Sequence, residues 1–276
     1  LVGDKAALLA KIEKPQAIER LDEILELAGG GMVARGALGA ELPREGVPPL
    51  QNRIVAAARQ AGKPVVVATQ MLESMIVSPT PTRAEVSDVA NAIYEGADAV
   101  MLSAESAAGA FPIEAVAMMD KIGRSVEADP VYAGRVHFTE TPAEATTADA
   151  LSESAGQIVG IIKASAMACY TSSGSTARRI ARERAPVPTL AMTASMKVAR
   201  RLGLQWGVHA VHTRDVNNFE EMVGKAKRMV LRHRLADAGD KVLIMAGVPF
   251  KTSGSTNVIH VVKIVGDELD NYSSEG

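Results

Sequence analysis

Pro64-Val-Val-Val-Ala68, followed at once by Thr69-Gln70, is the stretch on which the fold turns. A short apolar run without polar alternation describes a strand buried on both faces, as in parallel sheets. The change to Thr-Gln marks where the strand emerges. Working outward, similar runs ending in polar or glycine residues recur at 8–12, 31–34 and 99–102. Segments of helical period lie near 15–27, 48–61, 83–95 and 112–126, so strand and helix alternate as in parallel β/α units. Strands begin about 20 to 35 residues apart, the repeat of a (β/α)8 TIM barrel, whose eight units take about 250 residues. Four units make half of one.

The pattern lapses between Asp129-Pro130 and Thr146-Thr147, which reads as a linker and a helix start. A domain boundary is expected near Thr139. Beyond it, strands are expected at 166–170, 189–192, 208–212, 241–246 and 258–265, with helices at 148–163, 175–184, 195–202 and 218–236. The last strand alternates apolar residues with His260 and Lys263, as an edge strand does. The expected fold class is therefore α/β: a partial TIM barrel of four β/α units over 1–138, then a smaller α/β sheet domain with helices on both faces over 139–276.

Composition excludes several classes. The 276 residues carry a net charge of -2, so no strong field attracts nucleic acid. No apolar run approaches the ~18 residues needed to cross a bilayer, so no membrane partner is expected. Leu1-Val-Gly-Asp4 lacks a signal-peptide pattern and reads as the middle of a domain. The single cysteine, Cys169, lies in the apolar run Ala166–Tyr170 and is expected to be a buried structural thiol, which fits a reducing cytoplasm.

In barrels of this kind, polar residues at the C-terminal ends of strands face the active site. That rule selects Lys11 and Glu13, which a period of two places on one face. It also selects Arg35-Gly36-Ala37-Leu38-Gly39, then Thr69-Gln70 with Met71–Met75, and Ser103-Ala104-Glu105-Ser106. A lone Lys/Glu pair reads most simply as a solvated ion pair; four neighbouring strands ending in this way weaken that reading.

Lys11-Ile-Glu13, Met32-Val-Ala-Arg-Gly36, Ala68-Thr-Gln-Met-Leu-Glu-Ser-Met75, Pro81-Thr-Arg-Ala-Glu85 and Ser87-Asp-Val-Ala-Asn-Ala92 resemble, in order and spacing, the pyruvate kinase family. The resemblance runs from about Leu1 to Ile264, and Thr171-Ser-Ser-Gly-Ser-Thr176 and Gly247-Val-Pro-Phe250 are similar to signatures of that family's C-terminal domain. It implies the last four β/α units of the barrel plus an effector-binding domain. The implied reaction moves a phosphoryl group between phosphoenolpyruvate and ADP, giving pyruvate and ATP.

By the same resemblance, Lys11 stabilises the transferring phosphoryl group and the enolate, and Glu13 binds Mg²⁺ or Mn²⁺. Gly36 presents its N–H to the substrate carboxylate, and Thr69 contacts substrate through its hydroxyl. Thr171, Ser172, Ser173, Gly174, Ser175 and Thr176 seat a phosphorylated effector, facing a loop that carries Lys251. A K⁺ requirement, with ligands outside this chain, and a homotetramer are also implied. Ser103 and Glu105 lie nearby without an assigned role.

Two departures stand out. Ala37 replaces the family's second metal carboxylate, and Gly29-Gly-Gly31 stands where the family has Asp-Gly-Ile. Three glycines entering a buried strand are locally unfavourable, because glycine loses the most conformational entropy on folding. The family's four earlier β/α units and its lid domain have no counterpart here, so the chain alone is expected to be inactive. Two other readings remain: a Mg²⁺-dependent carbon–carbon lyase acting on pyruvate or oxaloacetate, and a non-catalytic regulatory or oligomerisation fragment.

Overall fold

The computed structural model describes residues 3, 5–132, 145–248 and 256–265. The chain divides into two compact units, 1–141 and 142–276. The boundary expected near Thr139 lies outside the described residues.

The first unit holds four parallel strands in the order β1 (Leu9–Ile12), β2 (Gly30–Ala34), β3 (Val65–Ala68) and β4 (Ala99–Met101). Val65, Val66, Val67 and Ala68 are all buried, which is why this run shows no polar alternation. Ala34, Ala68 and Met101 stand level across the sheet. The polar residues that follow each strand therefore come out along one edge.

Helices return the chain between strands. α4 (Val47–Gln60) and α7 (Pro112–Glu127) begin with proline in the first turn, where the missing N–H costs nothing. α5 (Arg83–Tyr94) opens on a complete capping box made by Thr82 and Glu85. The helix expected over 15–27 is two helices, α1 (Pro15–Glu19) and α2 (Leu21–Leu27), parted at Arg20, whose φ of -112° and ψ of 30° leave the helical region. Ile18 before the break and Leu21 and Leu25 after it are all buried. Two further helices, α3 (Arg35–Glu41) and α6 (Ala104–Ala107), occupy what the sequence shows only as strand ends.

Two of the three glycines have a packing reason, and nothing in the structure explains Gly31, where a Cβ would meet only a Leu25 methyl at 3.4 Å. A Cβ on Gly30 would lie 2.6 Å from the Pro64 carbonyl oxygen and 2.8 Å from a Leu9 methyl, and one on Gly29 would lie 3.1 Å from the Leu8 carbonyl. The start of β2 is pinched between its neighbours, and the close approach requires glycine at Gly30.

The second unit is a five-stranded sheet. Its order is β7 (Val208–His212), β6 (Thr189–Thr193), β5 (Ala166–Tyr170), β8 (Lys241–Gly247) and β9 (Thr256–Lys263). All pairs are parallel except the edge strand β9, which runs antiparallel to β8. Alternation along β5 divides two cores. Ala166 and Ala168 pack with Leu190, Ile244 and helix α11 (Phe219–Arg232). Met167 and Cys169 pack with Ala191, Leu243, α8 (Thr147–Ile162), α9 (Ser175–Arg182) and α10 (Met196–Leu202). Helices thus cover both faces. Cys169 is fully buried, and burial pushes its thiol pKa up to about 12.

Candidate active site

The end of β1 carries the first candidate pair. Ile12 between them is buried, so Lys11 and Glu13 share the opposite face, with Lys11 Nζ 2.9 Å from Glu13 Oε2. The Lys11 side chain is 57% exposed, so this cation remains open to an incoming ligand. Just beyond, Lys14 reaches the Glu41 carboxylate and joins the start of α1 to the end of α3.

At the next strand end the chain turns directly into α3, and Arg35 lies sideways over β3. Its Nη2 donates to the Thr69 carbonyl at 2.6 Å, its Nε to the Ala68 carbonyl at 3.4 Å, and its Nη1 to Asp88 Oδ1 at 2.6 Å. These bonds hold an unusual turn. Thr69 and Gln70 have φ of 73° and 54°, left-handed values that are uncommon outside glycine and strained for a β-branched residue. The turn aims Thr69 Oγ1 at the Gly36 N–H, which donates to it at 2.9 Å. Gly36 and Thr69 are therefore brought together. A Cβ on Gly36 would make only ordinary contact with Thr69 Oγ1 at 3.5 Å, so no packing demand fixes glycine there.

Glu105 has a different place. It is buried and accepts from the Ser103 N–H at 2.7 Å and the Leu72 N–H at 3.3 Å, so both its oxygens are committed to backbone. It ties the end of β4 to the loop after β3, while Ser103 stays exposed. Ala37, half-buried in the first turn of α3, offers no ligand atom. Among the described residues no group of three or more His, Cys, Asp or Glu gathers to hold a metal. Mg²⁺ typically takes one or two protein carboxylates and fills its remaining positions with water and substrate oxygens. Glu13 fits that minimum as a one-carboxylate site.

In the second unit, the segment Thr171–Thr176 links β5 to α9. Thr171 Oγ1 accepts from the Gly174 N–H at 2.9 Å, and Gly174 sits at φ +84° as the residue before the helix, with no side-chain cap. Ser173 bonds Ser175 through their hydroxyls at 3.1 Å, and Arg178 donates to the Ser173 carbonyl at 3.3 Å. Thr176 and Thr256 share a buried hydroxyl hydrogen bond of 2.7 Å. Ser172 and Ser173 remain exposed. Burial, followed by repulsion from Arg179 and Arg201, disfavours the charge of Arg178, so the segment sits beside concentrated positive charge. Phe250 and Lys251 fall outside the described residues.

Comparison with known proteins shows the family to which this geometry belongs. Residues 2–116 match the model of the pyruvate kinase barrel domain, and 149–262 match that of the pyruvate kinase alpha/beta domain. The chain belongs to the pyruvate kinase family. It is 50% identical over 98% of its length to a pyruvate kinase of Methylorubrum extorquens, covering 56% of that protein. It is 48% identical over 95% of its length to one of Agrobacterium vitis, covering 56%, and 42% identical over 92% to one of Geobacillus stearothermophilus, covering 44%. The chain thus spans about half the length of the curated relatives it matches.

The pyruvate kinase words of the sequence are physically joined. Arg35 links Met32–Gly36 to the turn at Thr69 and to Asp88. Glu85 accepts from the Ser74 N–H at 2.7 Å, the Ser74 hydroxyl at 2.6 Å and the Thr82 N–H at 2.7 Å. Burial tends to raise the Glu85 pKa, but the bonds from Ser74 and Thr82 outweigh it and hold the carboxyl below its usual value. Sequence reasoning gave no role to Arg35, Asp88 or Glu85. The only signal was opposite charges inside separate motifs, which spacing alone does not pair.

Proposed function

We propose that this chain supplies the C-terminal half of the catalytic barrel and the effector domain of a phosphotransferase that converts phosphoenolpyruvate and ADP to pyruvate and ATP. The observation that carries the reading is the open Lys11 ammonium beside Glu13, on the same sheet edge as the Gly36–Thr69 pair. A compact ammonium suits charge that moves from phosphoryl oxygen to enolate oxygen during transfer. Lys11 faces that charge, Thr69 orients the substrate through its hydroxyl, and the Gly36 N–H, now bound to Thr69, turns to the substrate carboxylate. The strained Thr69 turn, gripped by Arg35, keeps the Thr69 hydroxyl in position before substrate arrives. Glu13 would hold the divalent ion, Mg²⁺ or Mn²⁺, which when bound supplies positive charge to the phosphoryl oxygens.

The family resemblance further supports a K⁺ requirement met by residues outside this chain, a homotetramer, and cytoplasmic location. Among the described residues no helix is long and apolar enough to cross a membrane. The Thr171–Thr176 segment is the proposed seat of a phosphorylated effector, because exposed hydroxyls and a helix start without a side-chain cap favour an anion.

The test joins this chain to the N-terminal half of the Methylorubrum extorquens relative and follows pyruvate formation with lactate dehydrogenase. Activity is expected, and Lys11→Ala should lower turnover on the order of 100-fold, the ~3 kcal/mol of one preorganised electrostatic contact. A Lys11→Ala protein retaining more than a third of the turnover sinks the assignment.

A further inference from the structure

His209, on the edge strand β7, and His233, at the C-terminal end of α11, meet across 24 residues of sequence. Nε2 of His209 lies 2.8 Å from Nδ1 of His233, with ring centroids 4.5 Å apart and planes inclined at 56°. A ring nitrogen sits about 1.15 Å from its centroid, so a head-to-head N–H···N bond of this length would separate the centroids by about 5.1 Å. The shorter separation means that the rings do not meet head-on and that the N···N line is bent at the nitrogens. An ion about 2.0 Å from each nitrogen and holding them at about 90°, as tetragonal ions do, needs nitrogens about 2.8 Å and centroids about 4.5 Å apart. A tetrahedral ion needs about 3.3 Å and about 5.1 Å. Both observed distances agree with the first geometry.

We propose that His209 and His233 chelate a divalent transition-metal ion of tetragonal preference, Cu²⁺ or Ni²⁺, with water completing its coordination. Only neutral imidazole binds metal. The positive charge of Arg232 repels ions held by charge alone, leaving those that gain from nitrogen ligands. Among the described residues no third His, Cys, Asp or Glu joins the two rings. A bound ion would pin the sheet edge to α11, so binding also stabilises the unit by mass action.

The test titrates the whole chain with Cu²⁺ in a non-chelating buffer and reads electron paramagnetic resonance. One tightly held ion per chain is expected, with hyperfine splitting from two imidazole nitrogens. His209→Gln and His233→Gln should each weaken binding at least tenfold and abolish the rise in melting temperature that Ni²⁺ produces. His212→Gln and His260→Gln, on the same sheet, should leave both readouts unchanged. A spectrum without two-nitrogen splitting, unchanged affinity in either pair variant, or equal loss in the two controls overturns the proposal.

Discussion

Asp149→Ala tests what holds the proposed effector segment in place. Asp149 is 1% exposed and lies in the first turn of α8, where its carboxylate receives Arg179 Nε at 2.7 Å and stands 3.2 Å from Arg182 Nη2. Both arginines belong to α9, whose N-terminus carries the Thr171–Thr176 segment, so one buried anion fixes that helix. Removing one member of a buried ion pair costs about 3–5 kcal/mol, because the partner's charge stays buried. Arg182 keeps Glu183 at 3.1 Å and Arg179 is 27% exposed, which places the expected loss at the low end, about 3 kcal/mol. Trp206 is the only tryptophan and lies in this unit, under the Arg184 guanidinium at 4.9 Å, so its fluorescence reports unfolding here. With a urea slope of about 2 kcal/mol per molar, the midpoint should fall by about 1.5 M. Asp149→Ala combined with Arg182→Met and Glu183→Gln should recover part of the loss, since neither the Arg182 charge nor the Glu183 charge is then stranded there. A single-variant shift below about 0.3 M, or a triple variant no better than the single, would refute the reasoning.

Three other outcomes are expected. In the active fusion, Ala37→Asp should lower the Mg²⁺ concentration for half-maximal activity, since a second hard ligand joins Glu13; an unchanged titration would mean that water or substrate already replaces it. Glu85 has a folded pKa below its unfolded value, so its contribution is present above the unfolded pKa and disappears as pH falls through the folded one. The hydrogen-exchange protection of α5 in wild type should exceed that in Glu85→Gln at about pH 6, and the gap should close towards about pH 3; a gap independent of pH would contradict the role given to its bonds. Calorimetric titration of the whole chain with sugar phosphates and inorganic phosphate should detect binding that Ser175→Asp abolishes, and equal binding by the variant would leave the Thr171–Thr176 segment a plain turn.

What the sequence made legible was what repeats locally. Buried parallel strands announce themselves as unbroken apolar runs, so β3 and β5 were placed within a residue. Strand periodicity puts Lys11 and Glu13 on one face, and there they form an ion pair at 2.9 Å. Long-range ties were not legible, because nothing in a linear pattern shows that Arg35 reaches Asp88 across 53 residues or that Glu85 both caps its helix and holds Ser74. α3 was missed because Arg35–Glu41 contains two glycines and no side-chain cap; Leu38, fully buried, and the ion pair from Lys14 hold it instead.

The two departures beside the site, which look alike in the sequence, have opposite physics. Gly30 answers a demand of its neighbours: with Pro64 oxygen 2.6 Å from any added Cβ, an obstacle that is backbone cannot rotate away. Its entropic cost is therefore offset by a strand spacing that no larger residue permits. Ala37 answers no such demand. It is half-buried at the third position of α3, in a first turn without an acidic residue, where a carboxylate would gain from the exposed N–H groups of the helix start. The backbone is thus already arranged to accept the family's missing ligand, and the fold does not depend on its absence. No packing demand of the fold rests on Ala37, whereas Gly30 belongs to the architecture that sets β2 beside β3, from whose ends Arg35, Gly36 and Thr69 come together.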